Sequence, residues 1–288
     1  MLYLHHSSWS LMGPLQFLFL RLTSPSNLST GPLLRSHIHS LRTTAAHILS
    51  ESPWAMRPNL SPLKYMLFVI GTLTITLTFA ASTWFLAVSL TSTSDVTAMY
   101  NCSAFFAYAF SIPLLGERFR KDKAFAVGLA ICGVFLMAWA TNDDKGSIAA
   151  HRRFIGDAII ACGAVLYGLY EVLYKARACA VSPIGPYRSV LFSNACTTGI
   201  GLFTLCFMWI PLPILHFTGL EVFELPSPEA ALFLGVSILS NVAFTASFLT
   251  MVSLTSPVLS SVGAMYTSSL TVLISGLRYS SLRLSIGS

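Results

Sequence analysis

Beyond residue 60, five long stretches of this chain carry no formal charge: 65–94, 96–116, 124–142, 189–220 and 230–277. About 20 mainly apolar residues are enough to carry a helix across the hydrocarbon core of a bilayer. Inside lipid every backbone N–H and C=O must be satisfied within the protein, so only helices and closed barrels span. Barrel strands alternate apolar and polar residues. The run from Ala124 to Trp139 is apolar on every side and contradicts that pattern. The expected fold is therefore all-α, a polytopic helical membrane protein. Charged residues make up 10% of the chain and hydrophobic ones 54%, with a mean hydropathy of +0.70. Soluble domains carry about 25% charged residues. A coiled coil and a disordered chain are thus excluded, and a soluble enzyme is not expected.

The last run holds 48 residues, too many for one span, and divides at Leu254-Thr255-Ser256-Pro257. Proline lacks an N–H and disfavours helix before it. Residues 155–174 add a span interrupted only by Asp157 and Glu171. About seven transmembrane helices result, over 65–90, 95–115, 124–141, 155–176, 189–212, 229–253 and 257–277. Residues 1–60 contain ten serines, four arginines, five histidines and one acid, Glu51. They read as a tail of uncertain order: disordered or interfacial, a targeting segment, or sequence outside the mature fold. Residues 279–288 form a second tail.

Lys and Arg counts orient the spans. The side assigned to the N-terminus and to the loops after the second and fourth spans holds 12, the other side 5. The positive-inside rule then places the N-terminus in the cytoplasm. The net charge of +6 is the same loop bias. Aromatic residues are interleaved with apolar ones, not basic ones, so no nucleic-acid surface is expected. None of the six cysteines forms a C-x-x-C pair, and they read as small buried hydrophobes. Metal ligation and cofactors are not called for, and no hydrolase, zinc or nucleotide-binding motif marks a catalytic residue.

The word Val88-Ser-Leu-Thr-Ser92 recurs as Val252-Ser-Leu-Thr-Ser256, and Ala-Met-Tyr follows each, at 98–100 and 264–266. Each word lies between two spans, and four spans separate the copies, so they face opposite sides. Inverted repeats of this kind are a signature of secondary transporters, with the solute site between the halves. The segment Thr91 to Asn101, with Pro113-Leu-Leu-Gly-Glu117 after it, resembles helix 4 and the Gly-Glu turn of an EamA-type repeat. Gly156-Asp157 through Tyr170-Glu-Val-Leu-Tyr-Lys175 resembles the start of the second repeat, and Leu254-Thr-Ser-Pro-Val258 its helix 8–9 junction.

The resemblance is to the drug/metabolite transporter superfamily, in a fungal-type member allied to the nucleotide-sugar and triose-phosphate carrier branch. It implies a partial first repeat of three helices over 61–144 and a second of four over 155–278, an incomplete inverted repeat. Family helices 1, 2 and 10 are left without a counterpart. The function implied is a carrier moving a small polar organic solute by alternating access. An inactive fragment or helper subunit, and a seven-helix receptor-like protein, are the alternatives. The partners implied are the solute and the lipid bilayer, with a homo-oligomer left open. The location implied is an endomembrane, vacuole or Golgi, with a mitochondrial membrane as the other reading.

Tyr167, Tyr170, Glu171 and Tyr174 fall at i, i+3, i+4 and i+7 and so share a helix face. An acid within the membrane is a functional-site hypothesis by default. The competing reading pairs Glu171 with Lys175 one turn on. Tyr100 and Asn101 lie on the helix that lines the central cavity of the family, and Tyr266 is the repeat mate of Tyr100. The substrate-binding candidates are Tyr100, Asn101, Tyr167, Tyr170, Glu171, Tyr174, Lys175 and Tyr266. Asp95 reads as charging the start of its helix. Nothing in these residue types marks a cation over an anion.

Overall fold

The computed structural model describes residues 2–24, 29–52, 60–140, 147–182, 184–219 and 225–264. Every regular element among them is a helix. In chain order these are α1 (Leu2–Ser7), a 3-10 turn (Ser8–Leu11), α2 (Met12–Thr23), α3 (Thr30–Glu51), α4 (Pro62–Val88), α5 (Thr93–Asn101), α6 (Ser103–Leu115) and α7 (Lys121–Ala140). They continue as α8 (Ser147–Ala178), α9 (Pro186–Phe207), α10 (Pro211–Phe217), α11 (Pro228–Leu254) and a short α12 over 257–264. Among the described residues five stretches are long and apolar enough to cross a membrane: Pro62–Val88, Asp95–Leu115, His151–Ala178, Pro186–Phe207 and Pro228–Leu254. They correspond to five of the seven expected spans. The third falls on α7, whose side chains are described only in part. Most of the seventh, Tyr266 included, lies outside the described residues.

Large apolar side chains cover the outer faces. Phe79 of α4 and Leu232, Phe233 and Leu239 of α11 are all more than 60% exposed. Water would penalise such a surface, whereas lipid tails are as apolar as the side chains themselves. Cys179 and Cys196 are buried, as small hydrophobes should be, but Cys132, Cys162 and Cys206 sit on exposed faces.

The bundle is organised around α8, which packs against α4 and α6. Small residues permit the contact: a Cβ on Gly168 would lie 2.7 Å from the Ala107 backbone nitrogen of α6. The α6–α7 turn is fixed locally. Gly116 closes α6 with a φ of +67°, and the Tyr108 hydroxyl both donates to the Arg120 carbonyl (3.0 Å) and accepts from its N–H (2.9 Å). Tyr108 is thus a turn residue.

The first 52 residues depart from the sequence reading. Read as a tail, they contain three helices that join the main core. Trp9, Met12, Ala45, Ile48 and Leu49 are buried in one cluster with residues of α4, α8, α9 and α11. The Tyr3 hydroxyl donates to Leu205 O (3.1 Å) near the end of α9, and Gln16 Nε2 donates to Leu191 O (3.3 Å) near its beginning. Residues 3–16 therefore run antiparallel along α9. Contact is at backbone distance, since a Cβ on Gly201 would lie 2.2 Å from the Ser10 nitrogen. The apolar run 11–20 is too short to span and contains Pro14, which conceals this helix in the sequence. Pro14 in fact lies in the first turn of α2, where an N–H has no helical partner anyway. With α1 and the 3-10 turn placed before it, the unit is about 33 Å long at 1.5 Å per residue. At the far end of α3, the Glu51 carboxylate accepts from the Val181 and Ser182 N–H groups (2.7 and 3.0 Å), docking α3 on the α8–α9 loop.

Candidate functional site

A cavity of about 150 Å³ lies where the 3-10 turn, α4, α5, α8 and α11 meet. Tyr100 of α5 and Tyr167 and Tyr170 of α8 form one wall, with ring centroids 5.0 Å apart for Tyr100–Tyr167 and 5.8 Å for Tyr167–Tyr170. Phe248 of α11 stacks on Tyr167 at 6.3 Å, and Phe244 continues the stack at 5.7 Å. His6 and Trp9 close the cavity from the N-terminal segment, their rings 4.9 Å apart. Asn241 also lines it, its Oδ1 accepting from Thr245 one turn on (3.2 Å).

Three of the lining groups are buried polar atoms with no hydrogen-bond partner: His6 Nδ1, Trp9 Nε1 and the Tyr170 hydroxyl. Most buried polar groups are paired, and each that is not costs about 1–3 kcal/mol. Three orphans around one cavity favour a polar guest. Glu171, one residue beyond Tyr170, is 0% exposed. One carboxylate oxygen bonds the Ser261 hydroxyl of α12 and the other has no partner.

The expected stripe on α8 therefore divides. Tyr167 and Tyr170 face the cavity, whereas Tyr174 shares a hydrogen bond with Ser193 of α9 (2.9 Å). Lys175 Nζ donates to Ser253 O at the end of α11 (2.7 Å) and lines a recess of about 300 Å³ beyond it. Among the described residues Glu171 makes no ion pair, so the pairing with Lys175 is not formed: the lysine is drawn to α11 and the carboxylate to α12. Asn101 is half-buried at the end of α5 and does not line the cavity, and Tyr266 lies outside the described residues. The sequence reading missed His6 and Trp9. Two aromatic side chains three apart beside the apolar run 11–20 were the available signal.

Asp95 has a separate role. It is 2% exposed and accepts from both Nε and Nη2 of Arg153, at 2.9 and 2.6 Å. Thr91 donates to Asp157 (2.8 Å) beside it, joining the α4–α5 junction to the start of α8. Among the described residues no three His, Cys, Asp or Glu side chains gather to hold a metal ion.

The cavity is lined by helices of both halves of the chain. Residues 4–139 match the EamA-like transporter family. The resemblance to drug/metabolite transporters is borne out, and the match takes in the N-terminal helices, which the sequence reading left outside it. The chain is 30% identical over 213 residues to the uncharacterized transporter C405.03c of Schizosaccharomyces pombe, covering 72% of this chain and 60% of that protein. It is 27% identical over 142 residues to the thiamine-repressible mitochondrial transport protein THI74 of Saccharomyces cerevisiae, covering 49% and 36%. It is 25% identical over 191 residues to the uncharacterized vacuolar membrane protein YML018C of the same yeast, covering 62% and 46%. The chain thus spans three fifths or less of each of these relatives. No solved structure matches it.

Proposed function

We propose that the protein is a membrane carrier that moves a small polar organic solute by alternating access, and that the ring-lined cavity is its solute site. The observation that supports this is the convergence of α4 and α5 from one half and α8 and α11 from the other on a cavity lined by unpartnered buried polar atoms. Tyr100, Tyr167 and Tyr170 line the site and Glu171 stands behind it. Tyr174 and Lys175 hold the helix beyond it, and Tyr266 stays a candidate by its repeat position in the sequence alone.

The Lys and Arg bias supports placing residues 24–61 on the cytoplasmic side. Every basic residue counted on the N-terminal side lies at Arg21 or later. The antiparallel run along α9 then carries residue 2 to the opposite face. This reading differs from the cytoplasmic N-terminus expected from the charge bias and leaves the 12-to-5 count unchanged. A vacuolar or Golgi membrane is the location favoured, and a mitochondrial one is second. The names of two relatives support these two readings.

Single cysteines in a background freed of the native six test the topology. One at Arg120 or Ser24 should react with an impermeant thiol reagent from the cytoplasmic side only. One at Leu4 or Glu224 should react from the other side only. Labelling of Leu4 and Ser24 from one side would reject the membrane-crossing N-terminal unit. Proteoliposomes of the full chain, given a labelled panel of amines, nucleosides and sugar phosphates, should accumulate one class. Accumulation of none would favour the fragment or helper-subunit reading.

A further inference from the structure

Resting on the reading of the cavity as a solute site, we infer that the solute is a small organic cation that also carries a hydrogen-bond acceptor. Trp9, Tyr100, Tyr167, Tyr170, Phe244 and Phe248 line the cavity. An aromatic face carries the negative end of a quadrupole and attracts a cation within about 6 Å of its centroid. No Lys, Arg, Asp or Glu is among the lining residues.

The charges closest to the site all favour the same sign. Glu171 is the acid, fully buried, with one oxygen unpartnered. Of the cations of α8, Lys175 is held on the Ser253 carbonyl, Arg152 on the Ser89 carbonyl and Arg153 on Asp95. A phosphorylated solute would therefore meet no Lys or Arg, only the His6 imidazole, and several negative ring faces. A cation would meet the rings at once and the carboxylate behind them.

The remaining polar groups fix the second feature. Trp9 Nε1 can only donate, and the Tyr170 hydroxyl can donate as well. Both lack a partner, so the guest offers an acceptor such as a hydroxyl or carbonyl oxygen. The cavity of about 150 Å³ is on the order of five times the liquid volume of one water. That suits a methylated ammonium or a single charged heterocycle, not a nucleotide.

The probe is choline, set against its uncharged isostere 3,3-dimethylbutan-1-ol and against glycerol phosphate. Equilibrium binding to the full chain in detergent should favour choline over the isostere by roughly tenfold, with glycerol phosphate weaker still. Tyr167→Leu keeps bulk but removes the ring face, and should weaken choline binding roughly 3- to 30-fold, the range expected for a desolvated cation–π contact. Tyr167→Phe keeps the ring and should lose less. Equal binding of choline and its isostere, tighter binding of glycerol phosphate, or equal losses in the Leu and Phe variants would overturn the inference. Because binding is read without transport, the two readings fail separately. Ring-dependent choline binding without uptake in proteoliposomes would reject the carrier and leave the cation site. Accumulation of a neutral or anionic solute, lost with Tyr170→Leu, would reject the cation and leave the carrier.

Discussion

The two copies of Val-Ser-Leu-Thr-Ser occupy opposite ends of α8 and can be compared atom by atom. In the first, Ser89 Oγ donates to Leu86 O three residues back, and in the second Ser253 Oγ donates to Thr250 O, both at 2.7 Å. The final serine of each caps the next helix: Ser92 Oγ accepts from Asp95 N (3.1 Å) and Ser256 Oγ from Leu259 N (3.3 Å). A cation of α8 reaches the same carbonyl in each copy, Arg152 to Ser89 O at 3.5 Å and Lys175 to Ser253 O at 2.7 Å. Shared letters thus correspond to shared hydrogen bonds, at inverted positions. The copies differ three residues past the cap. The first has Asp95, buried on Arg153; the second has Leu259, 55% exposed. Beside the second, the acid comes instead from α8, as Glu171 on Ser261. Each carboxylate keeps one oxygen unpartnered, but Asp95 is tied to a cation of α8, whereas Glu171 has no cation among the described residues and lies beside the cavity.

If that division holds, Arg153→Ala has the largest effect on stability. It leaves a carboxylate 2% exposed without its partner. Breaking a fully buried pair costs about 3–5 kcal/mol; with Arg153 itself 25% exposed, about 2–3 kcal/mol is expected. Lys175→Ala removes one charge-assisted bond to a carbonyl and, with Lys175 only half-buried, should cost about 1.5 kcal/mol, the lower end for such a bond. Thermal unfolding of the detergent-solubilised variants measures both. A Lys175 variant as unstable as the Arg153 one would erase the distinction between the junctions.

The second prediction separates stability from transport. Glu171→Gln keeps the shape and can still accept from Ser261, so membrane insertion and thermal midpoint should stay near those of the parent. Uptake should fall roughly tenfold, equivalent to about 1.4 kcal/mol. Asp95→Asn should do the reverse, lowering the midpoint while each folded molecule transports normally. Unchanged uptake in Glu171→Gln would remove the carboxylate from the site.

How much of this was legible in the sequence depended on the range of the interaction. Span length and apolar composition are local, so α4, α8, α9 and α11 stood out, with boundaries within a few residues for most. The stripe Tyr167, Tyr170, Glu171, Tyr174 followed from helical period alone. Which members face the cavity did not, because Ser193 and Ser253, which draw Tyr174 and Lys175 away, lie 19 and 78 residues further on. The N-terminal helices were hidden because neither α1 nor α2 is long enough to span; only end to end, against Gly201 of α9, do they become a membrane-length unit. His6 and Trp9 were hidden with them.

The smallest effect offers the sharpest test of the comparison. If Ser92 and Ser256 are the same structural position in two inverted copies, each replaced by alanine should lose one N-cap bond. An N-cap serine is worth about 1 kcal/mol in water. The two losses should agree within about 0.5 kcal/mol, and the double variant should lose their sum, since the sites lie at opposite ends of a helix and share no partner. Asp95 adds one asymmetry. Its N–H is the donor to Ser92, so weakening that cap also loosens the residue that holds Arg153, whereas Leu259 holds nothing of the kind. Ser92→Ala should therefore cost slightly more than Ser256→Ala, and the difference should vanish when both are made in an Arg153→Ala background. A difference that persists in that background would mean the two words share letters but not a structural role.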